Sequence, residues 1–263
     1  MVNSNYKIVF FGSGPYVSRI IEIIKNNFDV VRVVSSHEKL DKQLTEELNS
    51  YNVQVAVLAS FGKIISNEVL NLFPLGIINI HPSLLPEYRG PTPVQTALLD
   101  GKEKTGVSIM KIDNEVDHGP ILAQAEYKIE EKDTTESLYN KLFEIGANLL
   151  VDILPKYISG DLKPIDQNHS KATYTANQLS RESGFIDLNN EPLTMNYQLN
   201  NMIHAYYPWP GVWFKAAING KEKIVKLFPE GKIQVEGKNI MNLKDFANGY
   251  PEGKEIITKL GLN

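Results

Sequence analysis

The chain has 263 residues, 42% of them hydrophobic and 22% charged, with a formal net charge of −4. That balance excludes an intrinsically disordered polymer and gives no overall attraction to nucleic acid or to an anionic membrane. Cysteine is absent, which rules out disulfides, thiolate metal sites and cysteine nucleophiles.

The N-terminal residues lead into a strand without a basic, apolar leader, and no apolar run approaches the roughly 18–20 residues that span a bilayer. A cytoplasmic protein is expected. "KIVFFG" (7–12) is a short apolar run that stops at glycine and predicts a buried strand. Val17, Ile20, Ile21 and Ile24 recur at helical spacing over 17–27. The glycine-rich turn between them, "FGSGP", lacks the last glycine of a dinucleotide fingerprint, since Val17 stands in its place. It reads as a tight strand-to-helix turn. A second strand (30–36), a second helix (40–51), a third strand (53–60), a short helix near 66–73 and a fourth strand (76–81) follow. This alternation implies an α/β fold with a mostly parallel sheet covered on both faces. A helix near 92–100, strands at 105–112 and 120–129 and a long helix at 134–159 complete the pattern. Residues 161–195 are polar with weak periodicity and read as a linker with room for short strands. A helix at 196–206 and the strand-like runs "YPWPGVWFKAAI", "KIVKLF" and "KIQVEG" predict a small β-rich C-terminal unit. From Lys215 onward nine Lys stand against six Asp and Glu, a surplus read as a solvated face.

Two stretches carry chemistry. In "INIHPSLLPEYRG" (78–90), Asn79 and His81 alternate across Ile80 and so share one face of a strand. They stand at its carboxyl end, where open α/β sheets place their ligand sites. In "MKIDNEVDHGPIL" (110–122), Asp113, Glu115, Asp117 and His118 occupy a loop between two predicted strands. A carboxylate brought from this loop to His81 would orient the ring for general acid–base work. His81, Asp117 and His118 lack the spacing of a known metal motif, and no metal is expected. Ser83 is too close to His81 along the chain for a triad, and no nucleophile elbow surrounds it. Pro82 and Pro86 stiffen the following loop, Leu84 and Leu85 offer an apolar wall, and Arg89 offers a fork for a carboxylate or phosphate.

These residues resemble the formyltransferases that use 10-formyltetrahydrofolate. The family pattern is an Asn, a His two residues on, an S-L-L-P-x-[YW]-[RK]-G loop and an Asp in a D-x-G turn. Here it falls on Asn79, His81, Ser83-Leu84-Leu85-Pro86, Tyr88-Arg89-Gly90, and Asp117 with Gly119. Within the family, the branch acting on methionyl-tRNA is the most similar, with further likeness in "FGKIISNEVLNLFPLGIINIH", "ATYTANQLSRESGFIDL" and "IHAYYPWPGVWF".

The resemblance implies a Rossmann-like catalytic domain over 1–178, a linker over 179–196 and a small, truncated OB-like domain over 197–263. It implies formyl transfer from 10-formyltetrahydrofolate, with Asn79, His81 and Asp117 catalytic. Ser83, Leu84, Leu85 and Pro86 would seat the folate, and Arg89 and Gly90 would meet substrate. The implied partner is the acceptor stem of charged initiator tRNA, bound by a monomer. Two departures bear on that acceptor. The loop at 35–43 is short where the family carries a longer basic one followed by a further β-α piece, and the C-terminal domain is reduced. The alternatives are an amino group on a nucleotide-linked sugar, water as acceptor, or a folate-binding module without catalysis.

Overall fold

The computed structural model describes residues 6–175, 179–188 and 196–262. Parts of the expected linker, 189–195 among them, and the stretch 176–178 lie outside the described residues. The chain divides into two compact units. One holds the chain up to Pro93, Lys104–Lys128 and Tyr139–Thr175; the other holds Val94–Glu103, Ile129–Leu138 and the chain from Ala176 on.

The first unit is built on a six-stranded sheet of order β2-β1-β3-β4-β5-β6. Its strands are β1 (Lys7–Gly12), β2 (Asp29–Val34), β3 (Val55–Ala59), β4 (Gly76–His81), β5 (Lys104–Lys111) and β6 (Ile121–Lys128). The first four run parallel, while β5 and β6 add antiparallel to β4 and to one another. Helices α1 (Val17–Asn27), α2 (Lys42–Ser50) and α3 (Asn67–Leu70) connect the parallel strands. Helix α4 (Pro93–Leu99) follows β4 and is counted from Val94 with the second unit, whereas α5 (Thr135–Ser159) follows β6 and belongs to this unit from Tyr139 on.

Strand alternation splits the core into two layers. Ile8, Phe10, Val55, Val57, Ile78 and Ile80 pack with Ile20 and Ile24 of α1 and with Phe143, Leu150 and Leu154 of α5. Val9, Phe11, Ala56, Leu58 and Ile77 pack with Leu44, Leu48, Val69 and Phe73 on the other face. Because Ile78 and Ile80 are committed to the first layer, Asn79 and His81 must point the other way. A Cβ at Gly146 would lie 2.5 Å from Ile80 Cγ2 and 2.8 Å from Val107 Cγ2, so glycine lets α5 lie directly against β4 and β5 beneath the site. Residues 161–175, which read as linker from their polarity and as catalytic domain from the resemblance, belong to this unit. Ile165 bridges to Ile121 and Tyr174 to Arg89, which lays the segment along the end of the sheet.

The second unit has a four-stranded antiparallel sheet of order β10-β9-β8-β7, made of β7 (Val212–Ile218), β8 (Lys221–Phe228), β9 (Lys232–Val235) and β10 (Met241–Asn242). Asn219 and Gly220 join β7 to β8 with φ of 51° and 72°, the two left-handed residues that a tight hairpin requires. Helix α6 (Asn196–Ala205) precedes this sheet. Two short helices that the sequence pattern does not announce, α7 (Leu243–Gly249) and α8 (Gly253–Lys259), follow it. Among the described residues no helix is long and apolar enough to cross a membrane.

Candidate active site

The carboxyl end of β4 presents Asn79 and His81, 7% and 5% exposed. Buried polar groups of this kind need partners, and Asp117 supplies them. Its Oδ1 lies 3.5 Å from His81 Nδ1 and accepts from Asn79 Nδ2 at 3.3 Å. Its Oδ2 accepts from the Gly90 N–H at 2.8 Å. The other ring nitrogen of His81, Nε2, lies 3.1 Å from the Tyr88 carbonyl oxygen. A carbonyl and a carboxylate are both acceptors, so the ring serves both neighbours when both of its nitrogens carry hydrogen.

Asp117 comes from the loop between β5 and β6, and that loop closes under constraint. Asp117 has φ of +49°, in the left-handed region. A Cβ at Gly119 would stand 2.0 Å from the Lys111 carbonyl oxygen, so only glycine lets the turn fold back on the end of β5. The other polar residues of this loop do not reach His81. Asp113 accepts from His118 Nδ1 at 2.6 Å and from the Glu115 N–H at 2.9 Å. The His118 ring stacks on His169, with centroids 4.0 Å apart. Among the described residues no group of three or more His, Asp and Glu is placed to hold a metal ion.

The loop after β4 is more enclosed than its sequence suggests. Ser83 is fully buried and Leu85 is 3% exposed. The Ser83 hydroxyl donates to the Glu87 carbonyl at 2.7 Å. Ser108 Oγ donates to the Ser83 carbonyl at 2.6 Å and accepts from the Leu85 N–H at 3.0 Å. Gln124 Nε2 donates to the Leu85 carbonyl at 2.8 Å. These bonds hold the loop, and the side chains of Ser83 and Leu85, expected to seat the folate, are buried within it. The half-buried Leu84 and Pro86 carry its apolar surface. Ser108 and Gln124 are visible in the sequence only as polar residues within two strands.

Arg89, which the sequence offers as a fork for an anionic substrate, is 1% exposed. Its Nε and Nη2 donate to Gln167 Oε1 at 3.2 and 2.7 Å, its Nη1 to the Tyr174 hydroxyl at 3.2 Å, and its Nη2 to His169 Nδ1 at 2.9 Å. The guanidinium expected to meet substrate is committed to the segment 167–174. Gly90 is also structural: its N–H holds Asp117, and a Cβ there would meet Thr175 Oγ1 at 2.6 Å. Gln167, Thr173 and Tyr174 are therefore parts of the site that the sequence pattern hides. Thr173 accepts the Tyr88 N–H on its hydroxyl at 2.8 Å and the Arg89 N–H on its carbonyl at 2.9 Å.

The short loop between β2 and α2 is also anchored. Glu38 accepts from the Ser35 N–H at 2.7 Å and from Arg32 Nη2 at 2.5 Å. Lys63 Nζ donates to the Glu38 carbonyl at 2.9 Å, and the Ser13 and Ser36 hydroxyls lie 2.6 Å apart. The Ser35 N–H, assisted by Arg32, holds the Glu38 carboxyl below its ordinary value against the opposing effect of burial. Arg32 is held above its own ordinary value by Glu47 and then Glu38.

A family model described as "Formyl transferase" matches residues 22–154, a span that contains Asn79, His81 and Asp117. The methionyl-tRNA formyltransferase of Chloroflexus aurantiacus is 44% identical over 173 residues, 66% of this chain and 54% of that protein. The methionyl-tRNA formyltransferase of Thermotoga neapolitana is 40% identical over 264 residues, 89% of this chain and 81% of that protein. HypX from Aquifex aeolicus, solved in complex with tetrahydrofolic acid, has a TM-score of 0.67 at 21% identity, covering 85% of this chain and 37% of that one; this is a likeness of fold. The chain spans about half the length of the Chloroflexus relative and more than four fifths of the Thermotoga one. On the family match and the extent of the Thermotoga likeness, this chain belongs to the formyltransferase family.

Proposed function

We propose that this chain transfers the formyl group of 10-formyltetrahydrofolate to the free amino group of methionyl-tRNA. The observation that carries the reading is the convergence of Asn79, His81 and Asp117 at the end of β4, with one carboxylate serving both side chains. Buried amide and imidazole hydrogens at a strand end suit a carbonyl oxygen that gains negative charge. Asn79 Nδ2 has a second hydrogen to offer the formyl oxygen. His81 exchanges its Nε2 contact with the Tyr88 carbonyl for that same oxygen. The neutral α-amine attacks the formyl carbon, a nitrogen–carbon bond forms, and the bond to N10 of the folate breaks. Asp117 orients His81 and helps pass the amine proton, through water, toward the departing nitrogen. Leu84 and Pro86 rest on the folate, and much of the rate gain comes from holding two substrates in register.

The names of the Chloroflexus and Thermotoga relatives favour methionyl-tRNA as acceptor. The shortened 35–43 loop leaves less chain to grip an acceptor stem, so the acceptor is the part to test. The chain is incubated with 10-formyltetrahydrofolate and, separately, charged initiator tRNA, an aminosugar nucleotide, or no acceptor. Formyl-methionyl-tRNA is the expected product. Formylation of the sugar alone would overturn the acceptor and keep the reaction, and release of formate without an acceptor would make it a hydrolase. His81→Ala and Asp117→Ala each lower turnover on the order of 10²–10⁴-fold. Wild-type turnover in His81→Ala would remove His81 from the chemistry.

A further inference from the structure

We infer that Gln167 is a positioning residue for Asp117, acting as a two-handed clamp on the turn that carries the carboxylate; the inference rests on the formyl-transfer reading above. Gln167 is 6% exposed and lies 50 residues beyond Asp117, in the polar segment after α5. Its Nε2 donates to the Asp117 carbonyl at 2.9 Å and to the Gly119 carbonyl at 2.7 Å, so both amide hydrogens are spent on the D-x-G turn. Its Oε1 takes two hydrogens from Arg89. A guanidinium can only donate, so the amide cannot flip: the oxygen must face Arg89 and the nitrogen must face the turn.

The arrangement closes on itself. Arg89 fixes Gln167, Gln167 fixes the Asp117 backbone, and Gly90, the residue after Arg89, fixes the Asp117 carboxylate at 2.8 Å. The clamp is delivered by the paired Ile121 and Ile165 bonds, each 2.8 Å, which set the segment beside the turn two residues before Gln167. Asp117 holds a left-handed backbone, a conformation that persists only where the surroundings enforce it. Without the two Nε2 bonds the turn relaxes, and Oδ1 drifts from His81 and Asn79. Gln167 touches no reacting atom, and its effect runs through Asp117.

The test uses Gln167→Met, which keeps the length and loses all hydrogen bonding, and Gln167→Glu, which keeps the acceptor for Arg89 and loses both donors. Steady-state kinetics on the full chain are paired with the NMR shift and exchange rate of the Gly90 amide, which reports where the Asp117 carboxylate sits. Both variants are expected to lose about 10²-fold in kcat, the scale of a misplacement near 1 Å, with little change in KM. The Gly90 amide proton moves upfield and exchanges faster in each. Gln167→Glu keeps its pairing with Arg89 and stays folded, so a loss of kcat there separates positioning from general destabilisation. Wild-type kcat and an unmoved Gly90 amide in Gln167→Glu would overturn the inference. If the parent chain transfers no formyl group, the reaction is misassigned, and the Gly90 amide alone decides whether the clamp exists.

Discussion

Replacing Arg89 with Met keeps the length of the side chain and removes every donor it supplies. Of its three acceptor residues, Gln167 is buried, while His169 and Tyr174 are exposed enough for water to take over. The buried loss is therefore Gln167 Oε1, which gives up bonds at 3.2 and 2.7 Å. Stranding one buried carbonyl of this kind costs about 1–3 kcal/mol. A loss of about 2 kcal/mol lowers the melting temperature by about 4–8 °C at this chain length. The freed amide no longer has a fixed orientation, so kcat falls with stability, while the KM for the acceptor stays near that of the parent. Thermal melts by circular dichroism and steady-state kinetics measure both. An unchanged melting temperature with the acceptor KM raised more than about tenfold, a loss of uniform binding, would refute the reasoning and return Arg89 to the substrate.

Ser108→Ala strands the Leu85 N–H and the Ser83 carbonyl in a fully buried position, a loss of about 2–6 kcal/mol for the two groups. If the loop seats the folate, the KM for 10-formyltetrahydrofolate rises more than kcat falls; an unchanged KM would separate this loop from folate binding. Gly119→Ala drives a Cβ into the Lys111 carbonyl at 2.0 Å and must displace the Asp117 turn, so formyl transfer is largely lost, and a fully active variant would show that the turn has slack. Glu38 has a folded pKa below its unfolded one, chiefly through the Ser35 N–H. Its contribution is present above the ordinary glutamate value of about 4.3 and is lost as pH falls through the lower folded value. Exchange at the Ser35 amide should accelerate across that window, and Glu38→Gln should abolish the pH dependence.

The proposed catalytic set is legible in part because strand geometry is local, while Asp117 stands out among the loop carboxylates only through the family resemblance. Asn79 and His81 must share a face, and Ile78 and Ile80 must claim the other, whatever the rest of the chain does. The D-x-G spacing likewise reports a backbone demand, since the Gly119 position excludes a side chain. Arg89 is illegible for the opposite reason. Nothing beside it in the sequence distinguishes a fork aimed at substrate from one aimed inward, because Gln167, His169 and Tyr174 arrive 78–85 residues later. Those partners sit in a polar segment without periodicity, which reads as linker until its bonds are seen. The short helices α7 and α8 escape notice through length: seven residues each give too few turns for a periodic apolar face to stand out.

This division has a consequence for how the site can change. The groups that would meet a formyl oxygen are fixed by β4 and by one turn, whereas their alignment depends on a loop and a distant polar segment joined by Arg89. Substitutions in 161–175 should therefore grade the rate without altering the reaction. Those in the anchored 35–41 loop, which shares none of these bonds, should leave the rate on a small acceptor intact. A change there that alters discrimination between methionyl-tRNA and an aminosugar nucleotide at constant kcat would place acceptor choice in that loop and leave the chemistry on β4.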